Sequence, residues 1–509
     1  MAPPKMPRVM PNMNEFIPKA LHPWIYLLFA FCFQMSGTLY GGVIPHFMGA
    51  TTLMREDAMM ILLSGIVGVN LPFPFLFRFK FRFTNKQLLM NASIVIGVCN
   101  LLFTLTDFVP LLCIISFIAG FFKMCGTFEC MSSIQLWMTH KRDFRIFFPC
   151  LYTFVVGNMS LSPFISLQLA YIFQDMYMMN WLIAGVMFLI ALYIFTCMHH
   201  FRFMKPLPFV SLDVLGMLMW AAVMLEITFL FNYGEYYNWW DGAMFRRVAL
   251  MLPVTLALAI WRMCNIRHPY IAPGAWQYKR LVPLLAMFVI VEIVNSTPKV
   301  MQNAFLTQVA HYGVMQTSHL NLVEYLGCAL GMMFVMWWSK ALSLQYTRLF
   351  TIGAMFFFGY EAMMYSLVQP GLAIEYLYIP VMCRAFGNAI FFTCLTIYLY
   401  DLMRMEHFFM SVTMAGMIRN GVVETMGSGV YSFGLRHQIK ENIARGVGHD
   451  GGQALLVSIK QLFGVSAVLT LIVMLIFLLW NIQPVRTTLR QILPWNVMGR
   501  ITRKRLEVT

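Results

Sequence analysis

The sequence predicts an all-α, polytopic membrane protein with fourteen transmembrane helices. About fourteen apolar stretches of roughly twenty residues follow one another from Trp24 to Trp480, mostly separated by short polar loops. Twenty helical residues rise about 30 Å, the thickness of a bilayer's hydrocarbon core. Only 11% of the residues are charged and 60% are hydrophobic; soluble chains carry about 25% charged residues. A soluble helix also keeps a polar face toward water, which these stretches lack.

The expected spans are 24–45, 57–77, 88–107, 109–131, 146–169, 178–198, 212–232, 245–263, 281–301, 320–339, 348–368, 376–400, 408–431 and 458–481. Arg384, Arg419 and Glu424 interrupt the twelfth and thirteenth. With an even count both termini share one side. That side holds about 25 of the 36 Lys and Arg, including Arg78, Lys80, Arg82 and Lys86 after span two and Lys141, Arg142 and Arg145 after span four. The opposite loops hold about seven. The positive-inside rule places both termini in the cytoplasm of a cell whose inner membrane the chain crosses.

Lys5, Arg8 and Lys19 precede the first span with no A-x-A cleavage pattern, so that span is expected to be retained. The longest external segment, Leu435 to Leu455, contains GVGHDGG and reads as a flexible loop. The tail from Arg486 onward has six basic residues and Trp495, and suits the inner membrane surface.

The formal charge of +15 is divided among many loops, which suits anionic lipid headgroups and excludes nucleic acid as the expected partner. Most of the eleven Cys lie within apolar spans, with no CxxC pair, and read as small buried hydrophobes. No Rossmann or P-loop signature is present, so no nucleotide cofactor is expected. The eleven His are scattered, with His199-His200 the one adjacent pair. A membrane di-iron enzyme would need several His clusters, so no enzyme is expected.

Several motifs, in order, resemble the fourteen-span drug:proton antiporters of the major facilitator superfamily, the EmrB/QacA type. Asp213-Val-Leu-Gly216, Gly234, Asn238-Trp239-Trp240-Asp241 and Arg267-His268-Pro269 resemble its D-x-x-G … G … W … P run. Ser36 to Pro45 resembles its first-span segment, Ser162-Pro163 with Asn180-Trp181 its antiporter motif and the W-R-W after it, and Ile418 to Gly429 a small-residue helix near its end. The family's first-span acid falls on Ser36, its fourth-span Arg near Ser116, and the Gly and Asp of its second loop on Phe77 and Phe81. Arg82 and Lys86 of that gating loop remain.

The resemblance implies the major facilitator fold (6+2+6). Its units would be a cytoplasmic tail 1–23, a six-helix half 24–198, two inserted helices with linkers 199–280, a second half 281–481 and a basic tail 482–509. It implies secondary transport, with efflux of amphipathic organic compounds driven by the proton gradient and no other cofactor. A periplasmic adaptor protein and an outer-membrane channel are its possible partners. Import of a small nutrient, peptide or siderophore on the same fold is the alternative, and a membrane enzyme the remote one.

Ionisable residues at a span centre cost about 2.5–3.5 kcal/mol and persist where they meet a partner or a wet cavity. On helices that the plan puts around the cavity stand the proton-coupling candidates Glu292, Glu324, Glu424 and Glu129, with charge partners Arg384, Arg419 and Lys123. Glu292 ranks first, because Asn295 lies one turn on and Pro298 breaks the helix nearby. A structural pair of Glu424 with Arg384 is the plainer alternative. Gln34, Tyr40, Asn70, Asn158, Asn295, Asn388 and Asn420 are the polar substrate-cavity candidates. Glu226 and Glu361 fall on peripheral spans, and Gly41-Gly42 and Gly427-x-Gly429 read as helix-packing points.

Overall fold

The computed structural model describes residues 13–138, 144–200, 212–271, 273–278, 280–341, 346–446 and 451–481. In chain order the helices are α1a (His22–Met35) and α1b (Ile44–Ala50), α2a (Arg55–Asn70) and α2b (Leu76–Arg82), α3 (Asn85–Phe103) and α4 (Val109–Met138). Then come α5a (Phe144–Val155) and α5b (Gly157–Phe173), α6 (Met178–Cys197), α7 (Val214–Tyr233), α8 (Ala243–Asn265) and α9 (Leu281–Asn295). The last are α10 (Val314–Ala341), α11 (Tyr346–Leu367), α12 (Tyr378–Leu402), α13a (Met405–Gly416), α13b (Glu424–Ala444) and α14 (Gly451–Asn481). Ten helical stretches among the described residues are long and apolar enough to cross a membrane. The four other stretches, 22–50, 55–82, 346–367 and 405–444, are interrupted or more polar. Of the ten, α12 is the most enclosed and α8 the least.

Helices α1 to α6 pack through α1a–α4, α2a–α4, α3–α4 and α3–α6; helices α9 to α14 pack through α10–α12, α11–α12, α11–α14 and α13b–α14. The two groups meet where α5a and α5b lie along α10, where α5a meets α12, and where α2a meets residues 417–423. The α7–α8 pair leans with α7 on α2a and on α13. Close approach is built on small residues: a Cβ on Gly120 would lie 2.1 Å from the Gly65 carbonyl oxygen, and one on Gly42 2.1 Å from that of Pro163. With dispersion the main attraction between helices in lipid, such backbone contact contributes much of the packing.

Local chemistry sets the ends. Thr84 caps α3 in a reciprocal box, accepting from the Gln87 amide (3.2 Å) while its own amide donates to Gln87 Oε1 (3.1 Å). Asp213 caps α7 by accepting from the Gly216 amide at 2.8 Å, and also binds Arg262 of α8 (2.7 Å) and the Tyr270 amide (3.2 Å). The Tyr270 hydroxyl in turn donates to the Leu71 carbonyl at 2.9 Å. The D-x-x-G pattern is therefore an N-cap whose second oxygen ties the linker to the helix pair.

The Leu435–Leu455 segment corrects the expectation of a flexible loop. Helix α13b continues to Ala444 and α14 starts at Gly451, with 447–450 outside the described residues. Leu435, Leu455 and Ile459 share one apolar cluster, and the Asn442 amide donates to Ser458 (2.8 Å) and Gln461 (3.0 Å). An apolar stripe and a shared polar group extend the helical hairpin beyond the hydrophobic stretch. The basic tail and Lys141 and Arg142 lie outside the described residues.

Candidate functional site

Pro298 shapes the centre of the second half. It has no N–H for the Val294 carbonyl, four residues back, so the α-helical ladder of α9 cannot continue through it. Helix α9 ends at Asn295, and π-helical turns follow at Pro298–Gln302 and Phe305–Val309. A third π segment, Met417–Val423, separates α13a from α13b and carries Arg419. Such bulges widen the helix and re-aim side chains.

Four helices converge through one chain of polar contacts. Arg384 of α12 donates to Glu324 Oε1 of α10 at 2.6 Å and to Asn295 Oδ1 at 3.1 Å. The Asn295 amide donates to Glu292 Oε2 at 3.2 Å, and Glu292 Oε1 lies 3.4 Å from Arg419 Nε. The network holds two acids and two bases, each charge near an opposite one. Breaking such a buried pair leaves a charge uncompensated, at a cost of about 3–5 kcal/mol. Glu324 keeps 27% side-chain exposure while Arg384 keeps 8%, so the Glu324 end opens to solvent-sized space.

The other end reaches the junction of the halves. The Arg419 guanidinium sits 4.6 Å over the Phe392 ring, which also meets Tyr152 of α5a edge-on at 4.6 Å. Tyr152 also shares a hydrogen bond of 3.1 Å with Thr396 of α12. Nearer the helix ends, Phe148 meets Phe408 at 5.4 Å, and Asp401 accepts from Arg145 at 3.1 Å and from Tyr346. Helices α5a, α11, α12 and α13a are thus joined at the end that bears the most basic loops.

The first half holds its charges apart from this network. Glu129 of α4 accepts from Asn85 at 2.6 Å and lies 3.6 Å from the Lys80 ammonium, which also donates to Ser132. Sequence had left Lys80 in a loop; α2b returns it against α4, only 8% exposed. Its Phe79-Lys80-Phe81-Arg82 run, alternately apolar and basic, was the available signal. Lys123 is half-buried and, among the described residues, has no ion-pair partner. Thr127, one turn on, accepts from Gln34 at 2.8 Å. Thr38 and Ser116 share a hydrogen bond of 2.5 Å. Two hydroxyls thus meet close to where the resemblance aligned an acid and a base.

Several expectations change. The Tyr40 hydroxyl is taken up within its own turn, donating toward the Met35 and Gly37 carbonyls (3.0 Å each) and accepting from the Gly37 amide, so it closes the α1 break. Lys86 donates to the Phe195 carbonyl at 2.7 Å, while Asn14 satisfies those of Thr196 and Cys197. Both cap α6, because the last carbonyls of a helix lack internal donors. Arg384 pairs with Glu324 and not with Glu424, which is half-buried at the start of α13b.

Asn70 donates to the Ile66 carbonyl and sits where a Cβ on Gly416 would fall, at the α2a–α13 contact. Asn158 Nδ2 and Asn388 Oδ1 are buried without a hydrogen-bond partner among the described residues. Arg82 stands at the end of α2b, and the side chain of Asn420 lies outside the described residues. Glu226 accepts from Thr255 at 2.5 Å across the α7–α8 pair. Glu361, on the eleventh helix as the sequence placed it, is 1% exposed and faces the α9 break. Gly42 and Gly427 do pack closely, against Pro163 and Ser296.

No protein-family model matches the chain, nor does any curated protein sequence. Solved structures do. A point mutant of the nucleoside transporter NupG is similar over 91% of this chain and 99% of its own, at 11% identity and a TM-score of 0.54. An auto-inhibited POT family peptide transporter is similar over 89% and 96%, at 14% identity and 0.55. The human organic anion transporter MFSD10 is similar over 89% and 100%, at 10% identity and 0.53. At such identity the likeness is one of fold: the chain shares the overall helical fold of these three structures.

Proposed function

We propose that the protein is a proton-coupled secondary transporter that exports small amphipathic organic solutes by alternating access. In this reading all fourteen helical stretches cross the membrane, the basic end faces the cytoplasm together with both termini, and the two six-helix groups rock against each other. One observation carries it. The Glu324–Arg384–Asn295–Glu292–Arg419 chain continues through Phe392 to Tyr152, at the contact that must rearrange when the groups move.

A proton delivered to Glu292 removes the anion that holds Arg419. Arg419 then keeps the Phe392 ring without its carboxylate partner, and its grip on the junction weakens. Glu324, at the more open end, is the point where solvent and solute enter the same network. The half-buried ammonium of Lys123 on the facing group gives a solute's anionic group a counter-charge. Aromatic rings beside the junction suit an apolar body. Import of a nutrient, peptide or siderophore would use the same geometry with the opposite direction. The motif order favours export.

The experiment is flux in proteoliposomes with an imposed pH gradient, on the wild type and on Glu292→Gln. Gradient-driven flux in the wild type and its loss in Glu292→Gln, with solute exchange retained, supports the assignment. Flux indifferent to both the gradient and the substitution removes proton coupling. Flux down the proton gradient, in the same direction as the protons, replaces export with import.

A further inference from the structure

Glu361 is used by none of the steps above, yet it is among the most enclosed acids of the chain. It projects from α11 onto the break in α9. Its Oε1 lies 2.6 Å from the Thr297 hydroxyl, and its Oε2 is buried on the side of Ser466 of α14. The preceding residue, Tyr360, donates to Gln302 at 2.9 Å, so adjacent residues of α11 grip both ends of the first π turn.

Thr297 stands at a contested position. Its hydroxyl is 2.7 Å from the Val294 carbonyl, which lacks the Pro298 N–H and keeps one backbone donor at the helix end. A hydroxyl has one proton. It can serve the Val294 carbonyl or the Glu361 carboxylate, and not both at once.

We propose that Glu361 is a proton-dependent positioning residue that sets the geometry of the α9 break, and with it the aim of Glu292 and Asn295. When Glu361 is ionised, the Thr297 proton points to Oε1 and the Val294 carbonyl goes without it. When a proton binds the carboxylate, the Glu361 O–H donates to Thr297 Oγ1, and Thr297 turns its own proton back to Val294. One proton is taken up, no bond to carbon changes, and the local ladder gains a donor. The adjoining Ser296 hydroxyl donates to the Glu292 carbonyl at 3.0 Å, so the rearrangement occurs within one turn of the network.

The charged and titratable groups around Glu361 are few. Arg384 of α12 stands over the Tyr360 ring at 5.8 Å, and Tyr431 of α13b meets Ser466 at 3.4 Å. Thr297 is the polar group on the α9 side. The Tyr431–Ser466 pair lies on the Oε2 side and offers a hydroxyl route for the proton.

This inference rests on proton-driven transport for its biological use, but its test does not. Infrared difference spectra of the reconstituted protein between low and high pH would be recorded for the wild type, Glu361→Gln, Thr297→Val and Thr297→Ser. The expected result is a carboxylic C=O band that is lost in Glu361→Gln, displaced in Thr297→Val and restored in Thr297→Ser. In parallel, gradient-driven flux should fall about tenfold in Thr297→Val, the worth of one hydrogen bond to a charged group, and recover in Thr297→Ser. Glu361→Gln in the Thr297→Val background should cause no further fall. A band unchanged by Thr297→Val overturns the proposal whatever the flux shows. An unchanged flux profile in a wild type insensitive to pH, with the band behaving as expected, would instead sink proton coupling and leave the switch standing. Thr297→Ser, which keeps the hydroxyl, also controls for misfolding.

Discussion

Replacing Arg384 by Met keeps most of the side-chain volume of α12 and removes its charge. Two hydrogen-bond partners lose by it. Glu324 forfeits a 2.6 Å ion pair and Asn295 a 3.1 Å donor. A buried pair broken on one side costs about 3–5 kcal/mol, but Glu324 is 27% exposed, so water recovers part of that sum. The charge-assisted bond alone is worth about 1.5–3 kcal/mol. The expected destabilisation of Arg384→Met is about 2–4 kcal/mol. Adding Glu324→Gln removes the stranded charge, so the double variant should be more stable than Arg384→Met alone. A double-mutant cycle should then give a coupling of about 1.5–3 kcal/mol. The assay is denaturant-induced unfolding in mixed micelles, following tryptophan fluorescence of the four proteins. A coupling under about 0.5 kcal/mol, the level of independent sites, would mean that the network is a packing accident and not an electrostatic unit.

Other changes separate structural from functional roles. Asp213→Ala removes the α7 cap and the Arg262 pair together and should cost about 2–4 kcal/mol, with faster proteolysis of the linker around Tyr270. Gly120→Val forces a side chain into the Gly65 backbone and should lower the thermal midpoint in detergent by an overpacking cost of about 1–3 kcal/mol, or more where the helices cannot part. Arg419→Lys keeps the charge beside Glu292 but loses the planar stack on Phe392; flux should fall while the thermal midpoint holds. Lys86→Met should change stability by about 1 kcal/mol and leave flux untouched, since the ammonium caps α6.

The helical, membrane-spanning character was legible because lipid leaves the backbone no alternative: each polar main-chain group must be satisfied within its own helix, and long apolar runs declare it. The Thr84-x-x-Gln87 box and the Asp213-x-x-Gly216 cap were equally local, as was the break at Pro298, which follows from a missing N–H. The acids and bases of the central spans could be named from the cost of burying them.

Their partners could not. Arg384 had several acids within plausible reach along the chain, and only the way α12 lies between α9 and α10 assigned it to Glu324 and Asn295. The hydrogen bonds of Tyr40 within the Ser36–Tyr40 turn, of Lys86 to the open end of α6 and of Glu361 to Thr297 were likewise invisible in the chain. Hydropathy and caps depend on neighbours a few residues apart, so the chain alone determines them. Pairing depends on which helix faces meet, and only the packing of the two six-helix groups decides that.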